Sequence, residues 1–367
     1  MNAHSEGETD ESLLALKEDL ESRVRIARNI GTVQTLVGNE EDIRIAYGFR
    51  PSGVIHLGNI LSLLISSYIA KELGIHRGKL QITNCDLELP TVYDIPQLKK
   101  VIHPQIMKHF DDIAVYFRYL SSEGSTVPMS EEFAEPVINL LNLVQTKKGV
   151  QSEVHLLSEI QKEEGFRTAV QRFCERIEEI ALYFPDWRGE DLKRTGGGRY
   201  LFPVCPECNT GNKQGSVYKR GKLKTHCLAC DQDYEMEILD PNAELAVHFL
   251  VDPLRDLSTS ARSLVHIFGG DYSLEIPGNF TKLEKIAAIF DVVKDEPEQT
   301  PILFGGPIVY DEQGIPMGKS KQNGIEWNSL QNALGEKTLQ RLWTYTAYIL
   351  NQGMLHVDFA TTRKHLL

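Results

Sequence analysis

Cys205, Cys208, Cys227 and Cys230 stand in the pattern C-x2-C-x18-C-x2-C, and no other feature of the chain restricts its local fold so tightly. Two such pairs, each on a tight turn, can present four thiolates tetrahedrally to one zinc ion. The same four could instead close two disulfides. The chain opens on the acidic, polar MNAHSEGETDE, which does not read as a secretory signal, so we expect a cytoplasmic protein with reduced thiols. A closed set of four cysteines leaves no open coordination position, so the expected ion is structural Zn²⁺. Cys85 and Cys174 lie in apolar-rich segments and read as core residues.

At 367 residues, 41% hydrophobic and 25% charged, the composition is that of a soluble globular protein with two or three domains. The longest apolar run, near Ile60 to Ala70, ends at Lys71, well short of a membrane span. No membrane partner is expected. The formal net charge, 39 − 51 = −12, argues against broad nucleic-acid affinity, because phosphates are met by Lys and Arg. A local basic patch stays open.

Residues 10–30 read as a charged amphipathic helix stopped by Gly31. IRIAYGF (43–49) suits a buried strand, NILSLLISSYIAKELG (59–74) a helix, and KLQITNCD (79–86) the next strand. Strand, helix and strand with short connections suggest a right-handed parallel βαβ unit. A helix-rich middle follows over 95–190, with TGGGR (195–199) as a flexible entry to the zinc knuckle. Apolar stretches at 246–251, 264–268 and 302–310 alternate with a helical run at 280–292 and resume the sheet. The segment 329–363 reads as helical.

RPSGVIHLGN (50–59) follows the first strand where the helix begins. In an open parallel sheet, ligands bind beyond the carboxyl ends of the strands, where helix N-termini point free N–H groups outward. There His56 and Asn59 can donate hydrogen bonds to phosphate, and Gly58 lets a flat base approach the backbone. Alternatively His56 only caps the helix and Asn59 faces water. Far downstream, PMGKSKQN (316–323) follows an apolar stretch and the turn-rich DEQGIP. Its two lysines and serine can fold over a triphosphate, or form a solvated basic loop.

Together, PSGVIHLGN and MGKSKQN resemble the HIGH-type and KMSKS-type signatures of class I aminoacyl-tRNA synthetases. The PSGxxHxGN spelling, the four-cysteine insertion, VDPLRD (251–256) and FGGDY (268–272) are most similar to class I lysine-tRNA ligases, over roughly residues 40–330. The resemblance implies an α/β, Rossmann-like catalytic domain, a parallel sheet with helices on both faces. A zinc-knuckle insertion and a short C-terminal helical module would complete it. The implied divisions are an N-terminal helix (1–40), the first catalytic half (41–150), a helical connective insertion (151–245) with its knuckle near 200–235, the second catalytic half with the loop (246–328), and the C-terminal module (329–367). By the same resemblance, His56 and Asn59 stabilise the ATP phosphates, Gly58 packs beneath adenine, and Asp271 approaches the ribose or the ammonium of the amino acid. Lys319, Ser320 and Lys321 hold the leaving pyrophosphate with Mg²⁺. Gly48, Arg50, Ser52, Asp86, Glu88 and Tyr272 are the implied contacts to the amino-acid substrate. The implied product is an aminoacyl-adenylate.

Several positions depart from the family pattern. Pro316 stands where the loop signature has its first lysine, Gly318 where it has a serine, and Tyr272 where a histidine is usual. Arg50 replaces a small residue and could meet a substrate carboxylate. Asp86 and Glu88 could meet a lysine ammonium, or only decorate a solvated strand end. After Asn323, 367 − 323 = 44 residues remain, so the large anticodon-binding domain of the lysine enzymes is not expected. The acceptor is then a tRNA acceptor stem or a small non-tRNA molecule. YKRGKLKTH (218–226) offers a basic ribbon tip for RNA, or a solvated one. A noncatalytic paralogue that binds an amino acid or adenylate and regulates a partner remains the alternative.

Overall fold

The computed structural model describes residues 25–51, 55–74, 78–89, 111–122, 124–184, 187–248, 250–251, 254–257, 263–268, 279–294, 301–317, 324–354 and 356–366. Its centre is a six-stranded sheet of β1 (Ile26–Ala27), β2 (Ile43–Phe49), β3 (Gly78–Asn84), β4 (Ser152–Leu156), β5 (Ser263–Phe268) and β6 (Ile302–Gly305). The spatial order is β1-β6-β5-β2-β3-β4, and all five pairings are parallel. Parallel sheets bury both faces, so their central strands carry near-continuous apolar runs. In β2, Ile43, Ile45, Tyr47 and Phe49 are all buried.

Side-chain alternation divides the core between the two faces. Ile302 and Phe304 of β6 join the cluster beneath α2 (Leu57–Leu73), and Leu303 joins the cluster with α5 (Asn279–Val293). Helix α2 is apolar almost all round because it is covered all round. Its buried hydroxyls are satisfied within the helix, Ser66 Oγ donating to Ser62 O at 2.8 Å and Ser67 Oγ to Leu63 O at 2.9 Å. At the other end, a Cβ on Gly78 would lie 3.0 Å from Ala70 O, so β3 starts pressed against α2. The remaining labelled helices are α1 (Ile30–Val37), α3 (Glu135–Lys148), α4 (Glu164–Glu175) and α6 (Thr338–Gln352). Helix α6 packs on α2 through Tyr68 and Trp343, with ring centroids 5.4 Å apart.

The expected βαβ unit is present as β2, α2 and β3. Four expectations are corrected. Residues 10–24 of the proposed 10–30 helix lie outside the described residues, but Ile26–Ala27 is a strand, and Gly31 sits inside α1, which Asn29 caps by accepting from Thr32 N. The strand near 246–251 is Leu245–Val247, and it pairs antiparallel with Leu201–Pro203 outside the main sheet. Likewise Ile308–Val309 leaves the sheet to pair with His356–Val357, which interrupts the C-terminal helices. Finally, TGGGR is a packed corner: Gly197 has φ 81, and a Cβ on Gly198 would lie 2.5 Å from Ser216 O. The glycines there admit close backbone approach rather than motion. Strand β4 also carries the sheet past residue 150.

Next to that corner, His248 stacks on Tyr200 at 4.6 Å and 15°. Burial, ahead of the charges of Arg199 and Arg188, lowers His248 to about 4. The unfolded chain binds this proton near pH 6.5 and the folded chain only near 4, so the contribution to stability is full above about pH 6.5 and lost as pH falls towards 4. Denaturant unfolding should therefore lose about 2 kcal/mol between pH 7 and pH 5 through this residue. His248→Phe should remove that part of the slope, and an unchanged slope would show that the imidazole is not the group responsible.

Candidate active site and metal centre

His56 occupies the N-cap of α2 with extended backbone angles, φ −108 and ψ 169. Its Nδ1 accepts from Gly58 N at 3.2 Å. In the neutral ring the proton then belongs to Nε2, which makes that nitrogen a donor at the positive end of the helix. A Cβ on Gly58 would lie 3.0 Å from His56 Cε1, so glycine gives the ring its seat. One turn on, Asn59 hydrogen-bonds to the phenol of Tyr47, which burial raises to about 12. Asn59 Oδ1 is buried with no hydrogen-bond partner.

The chain just after the second signature pairs with the chain around His56. Leu57 N donates to Ile325 O at 2.7 Å, Trp327 N donates to Ile55 O at 3.2 Å, and His56 bridges Glu326. A Cβ on Gly324 would lie 2.9 Å from His56 Cβ. The other flank is also anchored: Met317 N donates to Val309 O at 2.7 Å, and Pro316 bridges Tyr310. Thus Met317 and Gly324, on either side of the loop signature, are both held by their neighbours, Gly324 against His56. Lys319, Ser320 and Lys321 lie outside the described residues, as do Ser52, Asp271 and Tyr272.

Around the strand ends, a Cβ on Gly48 would meet Cys85 Sγ at 3.2 Å and Arg255 Nη2 at 3.7 Å. Arg50 Nε lies 2.7 Å from Glu88 Oε2, and its Nη2 donates to Leu89 O. Asp86 is 1% exposed. It accepts from Ser158 N at 2.9 Å and Ser158 Oγ at 2.6 Å, and pairs with Arg118 at 3.3 Å. Arg118 and Lys162 both face Glu244, at 3.7 Å and 3.4 Å. Asp86 and Glu88 are therefore engaged by the protein's own cations.

A cluster that sequence reasoning missed lies at the end of β5. His266, 3% exposed, meets the Asp256 carboxylate through Nδ1 and stacks on Phe268 at 4.1 Å. Arg255 Nη2 stands 3.5 Å from His266 Nε2, and Arg255 Nε stands 3.7 Å from Asp256 Oδ1. The available signal was charge inside apolar sequence, VDPLRD and SLVHIF, because buried ions need partners.

The four cysteines converge, all their Sγ atoms lying within 4.8 Å of one another. Both turns are built alike, with the residue after the second cysteine left-handed, Asn209 at φ 59 and Asp231 at φ 54. Cys205 N donates to Thr210 O at 2.7 Å. Burial alone would raise the Cys227 thiol. The N–H groups of Cys230 and Ala229, with the side chains of Cys208 and Thr210, outweigh it and hold the thiol below its ordinary value. A tetrahedral zinc–thiolate site needs sulfurs about 3.8 Å apart, so this donor set fits Zn²⁺. The adjoining ribbon, Lys222–Cys227 against Gln232–Glu237, pairs each cation with an acid: Lys222 with Glu237 at 3.4 Å, Lys224 with Glu235, and His226 with Asp233 at 2.8 Å. Lys219 and Arg220, at the tip, are exposed and without an ion-pair partner among the described residues.

The sequence profile of the family described as tRNA synthetases class I (K) matches residues 24–358. No curated protein matches the chain in sequence. Similar solved structures include a putative arginyl tRNA synthetase from Campylobacter jejuni, at 10% identity and TM-score 0.42, over 88% of this chain and 65% of that one. Tyrosyl-tRNA synthetase from Archaeoglobus fulgidus, complexed with L-tyrosine, is 13% identical with TM-score 0.37, over 92% and 82%. Arginyl-tRNA synthetase from Thermus thermophilus is 10% identical with TM-score 0.35, over 95% and 63%. The chain thus spans less than two thirds of either arginyl structure. No described helix is long and apolar enough to cross a membrane.

Purified protein should contain about one zinc per chain by elemental analysis. Chelation or Cys227→Ser should lower the melting temperature, since a closed thiolate site contributes folding energy. Two disulfides and no metal by mass spectrometry would contradict this assignment.

Proposed function

The chain belongs to the class I (K) tRNA synthetases, and we propose that it joins an amino-acid carboxylate to the α-phosphorus of ATP, releasing pyrophosphate and leaving an aminoacyl-adenylate. Membership implies amino-acid activation and tRNA charging, with ATP and Mg²⁺. The observation that supports the reading is the pairing of Ile55–Leu57 with Ile325–Trp327, which holds the chain just after the KMSKS-like loop against the His56 cap.

In this reaction a carboxylate oxygen attacks, the bond to the pyrophosphate oxygen breaks, and negative charge grows on the phosphates. Nothing on the protein acts as nucleophile, so catalysis rests on positioning and on charge stabilisation. His56 would donate from Nε2, Asn59 from its amide, and Lys319 and Lys321, with Ser320 between them, would clamp the departing pyrophosphate. Gly58 would lie beneath adenine and Asp271 beside the ribose or the ammonium. Mg²⁺ supplies charge compensation on the phosphates. The described strand-end carboxylates already have protein partners, which fits an ion carried mainly by the nucleotide.

The amino acid would contact Gly48, Arg50, Ser52 and Tyr272. Lysine is not favoured, because Asp86 and Glu88 are spent on Arg118 and Arg50. The acceptor we propose is smaller than tRNA. The −12 net charge and the ribbon whose lysines are paired with glutamates leave few cations for an RNA backbone.

Amino-acid-dependent exchange of labelled pyrophosphate into ATP, screened over many amino acids, tests activation. His56→Asn keeps an N-cap acceptor but loses the Nε2 donor, so exchange should fall on the order of 10²-fold with little change in melting temperature. His56→Ala should lose activity similarly and also cost about 1 kcal/mol of stability. Full exchange in His56→Asn would reduce this histidine to a cap.

With the activated amino acid identified, exchange should proceed without tRNA, and charging of total tRNA should be poor and steeply salt-dependent. Efficient charging that is lost in Lys219→Glu with Arg220→Glu, but kept in Lys222→Glu, would instead make tRNA the acceptor.

A further inference from the structure

Strand β4 closes one side of the described sheet, and among the described residues no strand pairs with its outer edge. Its ladder partner is β3 alone. Among the described residues, no other backbone hydrogen bond involves Ser152 to Leu156. Val154 is 41% exposed, and the side chains of Glu153 and His155 are 77% and 38% exposed, 3.4 Å apart on one face. A shallow cleft of about 270 Å³ opens beside the start of the strand, so another chain can approach. An unpaired row of N–H and C=O groups is a template for a further strand.

We propose that β4 pairs antiparallel with β4 of a second copy across a twofold axis at Val154, joining two six-stranded sheets into one. The strand's sequence selects this register. A twofold axis perpendicular to the sheet keeps each residue on its own face, so the axis must pass through a residue. Centred on Glu153, it would set two carboxylates directly opposite each other, which is unfavourable. Centred on His155, it would set imidazole against imidazole and leave Glu153 without a basic partner. Centred on Val154, it sets each Glu153 against His155 of the partner subunit and Val154 against its own copy. Ser152 then faces Leu156 of the partner subunit. Whichever alternate residues turn their amides outward, the ladder closes symmetrically. The proposal does not depend on which reaction the site performs.

Analytical ultracentrifugation over a dilution series tests it on the full chain. The wild type should sediment as a dimer that dissociates on dilution. Val154→Lys sets like charges across the axis, and His155→Glu sets Glu against Glu153. Both should be monomers with unchanged circular dichroism, melting as the wild type does when diluted to monomer. Adding Glu153→Lys to His155→Glu restores unlike charges and should restore the dimer. A wild type that stays monomeric throughout overturns the proposal. So does a dimer that survives both single substitutions, or a charge-swapped chain that stays monomeric.

Discussion

The short antiparallel pairing of Ile55–Leu57 with Ile325–Trp327 is the joint on which the candidate site depends. It ties the start of α2 to a segment some 270 residues later in the chain. It also stabilises a polar stretch that no regular strand would hold. His56 is gripped from both sides, by Gly58 N through its ring and by the Gly324 backbone beneath its Cβ. Glycine is required at both places because a side chain would displace the imidazole. The C-terminal helices serve the same joint, since α6 packs on α2 and His356 holds Tyr310 at 2.8 Å, beside the loop's other anchor.

A second constraint is charge in a buried setting. Asp86, Asp256 and Arg167 lie almost entirely out of water, and each is surrounded by partners rather than neutralised by distance. Arg167 donates to the carbonyls of Gln161, Ile238 and Ala243, and burial lowers it to about 10. Those carbonyls belong to the connective segment, so one guanidinium fastens α4 to the chain leaving the zinc ribbon. Asp86 does the matching work at the sheet, holding the start of the helix after β4 through Ser158. Removing one partner of such a group leaves an unpaired buried charge, which costs far more than an exposed pair contributes. The arrangement fixes the strand ends, and it leaves Asp86 little freedom to bind substrate.

The sheet's central strands were legible because parallel strands with helices on both faces must be apolar throughout. IRIAYGF and SLVHIF say so directly. Leu245–Val247 misled because a short apolar run carries no information about its partner, and here the antiparallel neighbour Leu201–Pro203 won. TGGGR misled because glycine signals both mobility and close approach, and only the three-dimensional neighbours, Phe173 and Ser216, decide between them. That the four cysteines gather at one place was legible from their spacing. For His56 the structure shows the cap, and a neutral ring that accepts at Nδ1 carries its proton on Nε2, the tautomer that the proposed phosphate donor would use.

Why a basic ribbon should be built next to a zinc knuckle and then neutralised follows from its register. Strand Lys222–Cys227 puts Lys222, Lys224 and His226 on one exposed face, where three cations two residues apart would repel. Opposite them stand Glu237, Glu235 and Asp233. Cross-strand unlike pairs steady a narrow ribbon that buries little apolar surface apart from Leu223 and Met236. The four cysteines gather at one end of it, where Cys227 and Cys230 flank the turn between its strands. On the ribbon's other side Lys219 stands opposite Lys222 rather than an acid, and Arg220 lies in the turn at φ 52, so cationic character survives at Lys219 and Arg220. Sequence composition merges these two populations into one basic stretch, whereas register separates the lysines paired with acids across the ribbon from Lys219 and Arg220, which have no ion-pair partner among the described residues.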